Sequence, residues 1–285
     1  MRCYHRAMPD LQRSDDFNLH YETWGDAEAP AVVLLHGFTS SHRMWAAQAG
    51  ELADDYFVIA PDLRGHGRTT SPEGLDEYGI DRYADDLVAL LDHLDVSVCA
   101  LVGCSFGGMI ALQFAVTHPS RLACLVVSDA SPAYERPDYD ERFRAREAGM
   151  RDHEAIARVH GMAVLGKRLS ATVEDPFLAD GIRNRYAKLN LEGFLGAAHT
   201  RRSRPDLTER LGEIAVPVML CDGDEDPGFC ALEVMAHELP GARVVTFPGA
   251  GHGLPAQRPS EFNDVLQRFL ADVEDGNAVA GRERI

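Results

Sequence analysis

A serine between two glycines is the residue in this sequence best suited to carry out chemistry. Residues 103–107 read Gly-Cys-Ser-Phe-Gly, which places Ser105 at the centre of a G-x-S-x-G pattern. The pattern is informative where a strand precedes it and a helix follows, because the sharp turn between them then exposes the hydroxyl. The apolar run 97–102 predicts that strand, and the apolar stretch 107–118 predicts a buried helix. This context favours Ser105 as a nucleophile over a purely structural glycine turn.

A serine hydroxyl is a weak nucleophile without a base, and one histidine lies in a suitable loop. Residues 242–247 predict a strand that runs into a glycine-rich loop bearing His252. Because this loop should leave the same sheet edge as Ser105, His252 is the predicted general base, with a carboxylate orienting its other ring nitrogen. The candidate carboxylates follow two predicted strands, 216–221 and 122–127: they are Asp222, Asp224 and Asp226 after the first, and Asp129 after the second.

Predicted strands and helices alternate along the chain, which indicates βαβ units and a mostly parallel, doubly wound α/β sheet. Residues 17–24 alternate with period two, as expected of a half-buried antiparallel strand. The helix predicted over 260–270 has Ser260 as its plausible N-cap, and the polar end of the chain, 275–285, should be frayed. The remaining predicted elements are strands at 31–35 and 56–60 and a helix at 81–94.

One long segment interrupts this alternation. Residues 132–205 contain helical patterns and no convincing strand, and prolines stand near both of its ends. We therefore predict a core domain made of residues 1–131 and 206–285, with 132–205 as a helical cap inserted over the carboxyl edge of the sheet. Ligands bind at that edge in folds of this kind.

Composition excludes several classes of partner. The 285 residues carry a formal net charge of -17, which argues against a nucleic-acid binder and against docking on anionic membranes. No nucleotide-binding glycine loop and no cluster of metal ligands stands out, so we expect no cofactor and no metal. Six cysteines without metal-ligand spacing, and an N-terminus without a signal-peptide pattern, favour a cytoplasmic protein; the oligomeric state stays open.

Charge is distributed unevenly between the two predicted domains. Residues 131–205 contain 14 Lys and Arg against 11 Asp and Glu, a net +3, whereas the rest has 14 basic and 34 acidic residues, a net -20. The simpler interpretation is a solvated helical surface rich in arginine. The alternative is that one of four arginines binds an anionic substrate, since a guanidinium suits a carboxylate: Arg183, Arg185, Arg201 or Arg202.

The chain resembles the α/β-hydrolase superfamily, in particular its small capped serine esterase and lactonase-like branch. The order and spacing of five motifs carry the resemblance, and together they span most of the chain outside residues 132–205. They are His36-Gly-Phe38, Asp62-Leu-Arg-Gly-His-Gly67, Gly103-Cys-Ser-Phe-Gly-Gly108, Gly223-Asp-Glu-Asp226 and Gly249-Ala-Gly-His252.

The resemblance implies roles for particular residues. Asp226 becomes the expected acid of a Ser105–His252–Asp226 triad, with Asp129 as its competitor because some relatives carry the acid there. The backbone N–H groups of Phe38 and Phe106 become the expected oxyanion hole. His36, His66 and Arg64 are expected to be structural, and Cys104 to be a packed, inert thiol.

The implied reaction is acyl transfer to Ser105 from a small-molecule carboxylic ester or lactone. Two other chemistries use the same triad, namely C–C bond hydrolysis and cofactor-free perhydrolysis of the haloperoxidase type. A ligand-binding receptor on the same fold is a more remote alternative. Because fold does not determine function, the natural substrate stays undetermined from sequence.

Overall fold

The structure is a computed structural model that describes residues 10–285. Cys3 and the start of the N-terminus, where no signal-peptide pattern was found, lie outside the described residues. Within that range an eight-stranded sheet has the order β10-β9-β8-β7-β6-β4-β5-β3. Every neighbouring pair is parallel except β3 and β5. The strands are β1 Leu11–Ser14, β2 Phe17–Leu19, β3 Tyr21–Trp24, β4 Ala31–Leu35, β5 Phe57–Pro61, β6 Cys99–Cys104, β7 Leu122–Ser128, β8 Val218–Gly223, β9 Arg243–Phe247 and β10 Gly281–Arg284.

Helices cover both faces of this sheet, which confirms the predicted doubly wound α/β architecture. Strands β4, β5, β6 and β8 are buried along their whole length, as continuous apolar runs require. One apolar cluster joins the sheet to α2, α3 and α8, and a second joins its other face to α1 and α10. The helices are α1 Ala46–Leu52, α2 Ile80–His93, α3 Phe106–Thr117, α4 Glu141–His160, α5 Met162–Ser170, α6 Pro176–Lys188, α7 Leu191–Ser203, α8 Phe229–Glu238, α9 Leu254–Gln257 and α10 Pro259–Glu274.

The N-terminal strand predicted over 17–24 is interrupted. It forms β2, which pairs with β1 in a separate two-stranded sheet, and β3, which pairs antiparallel with β5 in the main sheet. His20 lies between them, where its backbone N–H donates to Thr69 Oγ1 at 2.9 Å. A side-chain acceptor thus replaces the ladder bond that a continuous strand would make.

Two local predictions were wrong. Helix α10 begins at Pro259 with Arg258 at the N-cap, so Ser260 is not the cap. Proline suits the first turn because its fixed φ matches a helix and its missing N–H needs no partner. The end of the chain is also not frayed throughout, since β10 pairs in parallel with β9. Its polar residues support this edge strand, because Arg282 pairs with Glu233 at 2.8 Å.

Four helices, α4 to α7, occupy the chain between β7 and β8, within the range predicted to be a cap. The two ends of this range meet, since the Leu207 N–H donates to Pro132 O at 3.1 Å. We call residues 132–205 the helical segment. It touches the rest of the molecule backbone to backbone at Gly65 and Gly193, where a Cβ added to Gly193 would lie 2.1 Å from Gly65 O. Its status as a separate domain stays a prediction.

Candidate active site

Ser105 lies at the turn between β6 and α3, in a backbone conformation that residues other than glycine rarely adopt. Its φ is 56° and its ψ is -114°, and only 5% of the residue is exposed. The flanking glycines are required sterically, because a Cβ on Gly103 would lie 2.4 Å from Gly107 O. A Cβ on Gly107 would lie 2.1 Å from Leu35 O. The turn therefore holds the Ser105 hydroxyl above the sheet edge by close packing of the backbone.

The structure brings His252 and Asp226 to this serine. Ser105 Oγ lies 2.9 Å from His252 Nε2, within hydrogen-bond distance, and His252 Nδ1 lies 2.5 Å from Asp226 Oδ2. Asp226 is 1% exposed, and its other oxygen accepts from the Gly228 N–H at 2.5 Å. The carboxylate is thus fixed in position, and a histidine protonated at Nδ1 has its Nε2 lone pair directed at the serine hydroxyl.

The other candidate acids make different contacts. Asp129 Oδ1 accepts from the backbone N–H groups of Gly253 and Leu254, at 2.8 and 3.2 Å, next to His252. Asp222 accepts from the Gly223 N–H at 2.8 Å, and Asp224 accepts from the Gly249 N–H at 2.7 Å. Asp129 therefore anchors the histidine loop, while Asp226 holds the imidazole itself.

The surroundings of Asp226 and Asp129 shift the pKa values of the two carboxyls in opposite directions. Burial raises the pKa of Asp226, but the hydrogen bond and charge of His252 and the Gly228 N–H outweigh it, so this pKa lies below its ordinary value. Burial raises the pKa of Asp129 and is only partly offset by His252 and its hydrogen bonds. Asp226 is accordingly the carboxylate held in its charged form beside the imidazole.

The predicted oxyanion residues flank Ser105. Phe106 is the first residue of α3, where N–H groups have no partner within the helix. Gly37 lies against the serine, since a Cβ built on it would lie 3.4 Å from Ser105 Cβ, and this brings the Phe38 peptide close. The Phe38 ring stacks on Phe194 of α7 at a centroid distance of 5.1 Å, whereas the Phe106 ring is fully buried.

An arginine of the helical segment also reaches this site, and the sequence reasoning missed it. Arg146 Nη2 of α4 lies 3.0 Å from His252 Nε2, and its Nη1 lies 3.3 Å from Glu147 Oε1. Glu147 in turn accepts from Arg201 Nη2 at 2.7 and 2.9 Å, and both of these side chains are buried. The Arg201 guanidinium lies 5.4 Å from the Phe38 ring centroid. A charged array thus extends from the histidine to the oxyanion loop.

The four arginines singled out from sequence lie elsewhere or are paired. Arg183 pairs with Asp180 at 2.7 Å on the surface, Arg202 pairs with Glu154, and Arg201 pairs with Glu147 as above. Arg185 lines a cavity of about 500 Å³ between the helical segment and core residues 39–44 and 62–71. Among the described residues, the arginine hydrogen-bonded to His252 is Arg146.

Residues expected to be structural have structural contacts. His36 Nε2 accepts from the Leu63 N–H at 3.0 Å, and burial lowers the pKa of His36 to about 3. Burial likewise lowers the pKa of His66 to about 4, and Arg64 donates to both oxygens of Asp86 at 2.9 and 2.8 Å. The Cys104 thiol is buried, which raises its pKa well above the ordinary value. A thiol of this kind is unreactive.

Two groups of potential metal ligands lie in the described range. One is Asp129, Asp226 and His252, which belongs to the site above. The other is His20, Glu22 and His42, where Arg68 Nη1 lies 3.4 Å from His20 Nε2 and 3.9 Å from Glu22 Oε1. A guanidinium of the protein therefore lies beside the ligand atoms of the second group.

No helix within residues 10–285 has the length and apolarity to span a bilayer.

Comparison with known proteins identifies the class that this fold and site define. The sequence profile of the α/β hydrolase fold matches residues 30–259, so the chain belongs to this family of enzymes. It is 30% identical to the putative 2-succinyl-6-hydroxy-2,4-cyclohexadiene-1-carboxylate synthase of Bacillus subtilis, over 87% of this chain and 93% of that protein.

Two further relatives are an enol-lactonase and a carboxylesterase. The chain is 27% identical to 3-oxoadipate enol-lactonase 2 of Acinetobacter baylyi, over 92% of this chain and 96% of that one. A solved carboxylesterase structure from Nitrososphaera gargenis is similar with a TM-score of 0.83 and 25% identity, over 94% of this chain and 100% of that one. The resemblance to esterases and lactonases inferred from the motifs is confirmed.

Proposed function

We propose that the chain hydrolyses carboxylic ester or lactone bonds, with Ser105 as nucleophile, His252 as general base and Asp226 as the orienting acid. The observation that carries this proposal is the position of His252 between the other two, 2.9 Å from Ser105 Oγ and 2.5 Å from Asp226 Oδ2. This is the geometry of a nucleophile, a base within hydrogen-bond reach and a third group that orients the base.

The reaction proceeds through an acyl-enzyme. His252 Nε2 takes the proton of Ser105 as Oγ attacks the substrate carbonyl, and the N–H groups of Phe38 and Phe106 stabilise the oxyanion. The imidazolium then donates that proton to the leaving alkoxide. Water, activated by His252, attacks the acyl group and releases the acid. Asp226 stays ionised throughout, in keeping with its lowered pKa.

The helical segment acts as the cap in this proposal. Its buried residues Phe194 and Leu195 pack in an apolar cluster to which Phe38 contributes, so the segment meets the core at the oxyanion loop. Substrate choice therefore depends on residues 132–205 as well as on the triad. The lactonase and esterase relatives support a small-molecule ester or lactone as the substrate.

A labelling experiment tests the assignment of Ser105. A fluorophosphonate probe should label the wild type and leave Ser105→Ala unlabelled, because only an activated serine reacts with it. A series of chromogenic esters of increasing acyl length, assayed beside lactones, should then show hydrolysis that Ser105→Ala lacks. Labelling of both proteins alike, or of neither, would contradict the proposal; absence of any labelling would favour a binding protein on this fold.

The same preparations distinguish the alternative chemistries. Formation of a peracid from hydrogen peroxide and a carboxylic acid, with release of water, would reveal perhydrolase activity, and cleavage of a β-diketone would reveal C–C hydrolysis. Ester hydrolysis should exceed C–C cleavage, since a carbon leaving group must be protonated at carbon and needs additional polar groups.

A further inference from the structure

Two donors compete for one nitrogen at the candidate site. His252 Nε2 lies 2.9 Å from Ser105 Oγ and 3.0 Å from Arg146 Nη2. A neutral histidine that is protonated on Nδ1, facing Asp226, has a single lone pair on Nε2. The serine hydroxyl and the guanidinium therefore share that lone pair, and the hydrogen bond to each is weaker than it would be alone.

The position of Arg146 conflicts with the step that the base must perform. When Ser105 transfers its proton, His252 becomes a cation whose Nε2–H occupies the direction in which the guanidinium now lies. Two positive groups within hydrogen-bond distance repel each other, and the imidazolium has no lone pair left for Arg146 to use. Proton transfer therefore requires Arg146 to move away from Nε2.

The neighbouring charges allow that movement while keeping Arg146 near the site. Glu147, next to it on α4, accepts from Arg146 Nη1 at 3.3 Å and from Arg201 at shorter distances. Arg201 and Glu147 are buried, with 3% and 6% of their side chains exposed, whereas 19% of the Arg146 side chain is exposed. The charges of Arg146, Glu147 and Arg201 sum to +1, and Arg146 is the most exposed of the three side chains. Its guanidinium is therefore the one of the two that can turn from Nε2 toward an anionic group without leaving Glu147.

From this geometry we infer that Arg146 determines substrate specificity by leaving His252 for an anionic group of the substrate. The favoured substrates are then esters or lactones that carry a carboxylate away from the reacting bond. That carboxylate takes the guanidinium N–H now directed at Nε2, and Ser105 becomes the sole donor to the base. This inference rests on the proposed ester or lactone hydrolysis and adds the substrate class.

A structural link between α4 and the histidine loop is the competing explanation of the same contact. In that case, removing Arg146 would affect all substrates by one common factor, through loss of order at the site. A role in specificity instead changes the ratio between charged and neutral substrates. The ratio of two kcat/KM values is therefore the decisive measurement.

The experiment uses two chromogenic esters matched in acyl length, 4-nitrophenyl hydrogen adipate and 4-nitrophenyl hexanoate, which differ by the distal carboxylate. Each is assayed with the wild type, Arg146→Gln, Arg146→Lys and Arg158→Gln. Arg158 is an exposed arginine farther along α4, so its variant removes the same charge from the same helix at a distance. Labelling by a neutral fluorophosphonate measures the reactivity of Ser105 without a carboxylate.

We expect Arg146→Gln to lower the preference for the adipate ester by about 10- to 100-fold, the range of a charge-assisted hydrogen bond. Hydrolysis of the neutral ester and the labelling rate should rise about threefold, because Nε2 is no longer shared. Arg146→Lys should keep part of the preference, and Arg158→Gln should retain the ratio of the wild type.

Two results would overturn this inference: an unchanged ratio in Arg146→Gln, or an equal loss with both esters. Either result leaves the proposed hydrolysis standing, provided that the wild type hydrolyses both esters and Ser105→Ala hydrolyses neither. Failure of the wild type to react with either ester or with the probe contradicts the proposed function itself. The two failures are therefore distinguishable within one set of assays.

Discussion

The two sides of the candidate site are held by different means. On the sheet side, backbone geometry fixes the reactive groups, since Ser105 has a φ of 56° between glycines packed against backbone oxygens. Two successive backbone N–H groups tie the histidine loop to Asp129. On the side of the helical segment, charged side chains face the site, and Arg146 there contacts both His252 and Glu147.

In the proposed mechanism, this difference separates reaction from selectivity. Groups that must stay within tenths of an ångström for proton transfer are built on strand ends, where backbone packing leaves no freedom. Groups that face variable substrates are side chains on helices, where one substitution changes the charge without changing the fold. Substitutions on the sheet side should therefore affect every substrate, and substitutions on the helical side should affect some.

The largest effect is expected at the two carboxylates of the sheet side. Asp226→Asn should lower kcat by about 10³- to 10⁴-fold, because the imidazole loses the group that fixes its tautomer. Asp129→Asn should lower kcat by a much smaller factor and also lower the melting temperature, because it weakens the anchor of the loop. Steady-state kinetics with one chromogenic ester measures both variants. Loss at Asp129 with full activity at Asp226 would assign the acid to Asp129 instead.

A pair of glycine substitutions compares a tightly packed position on the sheet side with an open position on the helical side. Gly107→Ala should destabilise the fold by about 3 kcal/mol or more, since its Cβ would lie 2.1 Å from Leu35 O in the core. Gly149→Ala, within α4 and with open space around its Cβ, should stabilise it by about 0.5–1 kcal/mol. Urea denaturation measures both. Similar effects of the two substitutions would contradict this difference between the two positions.

The last predicted effect is the pH dependence of stability from the buried histidines, which is spread over several pH units. Burial lowers the pKa of His36 to about 3 and that of His66 to about 4, so below pH 6.5 the unfolded chain binds protons that the folded chain refuses. Each group should therefore cost up to about 1.4 kcal/mol of unfolding free energy per pH unit as the pH falls from 6.5 toward its folded pKa. Above pH 6.5 neither contributes.

Urea denaturation between pH 7 and pH 5 measures this slope in the wild type and in His66→Gln. The variant lacks one of the two titrating groups, so its unfolding free energy should fall less steeply with decreasing pH. Equal slopes in the two proteins would mean that His66 is protonated alike in the folded and unfolded chains.

Much of the sheet side was predictable because its signals are local. A strand, a G-x-S-x-G turn and an apolar helix are adjacent in sequence, and they predicted the position of Ser105. The residues alone left Asp222, Asp224, Asp226 and Asp129 open, since all four follow predicted strands that end at one edge. The resemblance favoured Asp226, the carboxylate that lies against His252 in the structure.

What sequence reasoning missed depends on contacts distant in the chain. Arg146 meets His252 across 106 residues, so this contact follows from how α4 packs on the core. A signal was present, because Glu147 and Glu154 occupy the buried face of α4 with Phe143 and Ala157, where apolar residues are expected. Strand β10 was missed because it lies at the edge of the sheet and its residues are polar and mostly exposed.

The contact between Gly65 and Gly193 has a further consequence for how this enzyme can be changed. At that point the distance between the helical segment and the core equals the thickness of two peptide backbones, because neither residue has a side chain. A methyl group added to Gly193 would lie 2.1 Å from Gly65 O, so the two layers would have to move apart to admit it. These two positions therefore limit how the helical segment can vary, because any side chain there would lift it from the core.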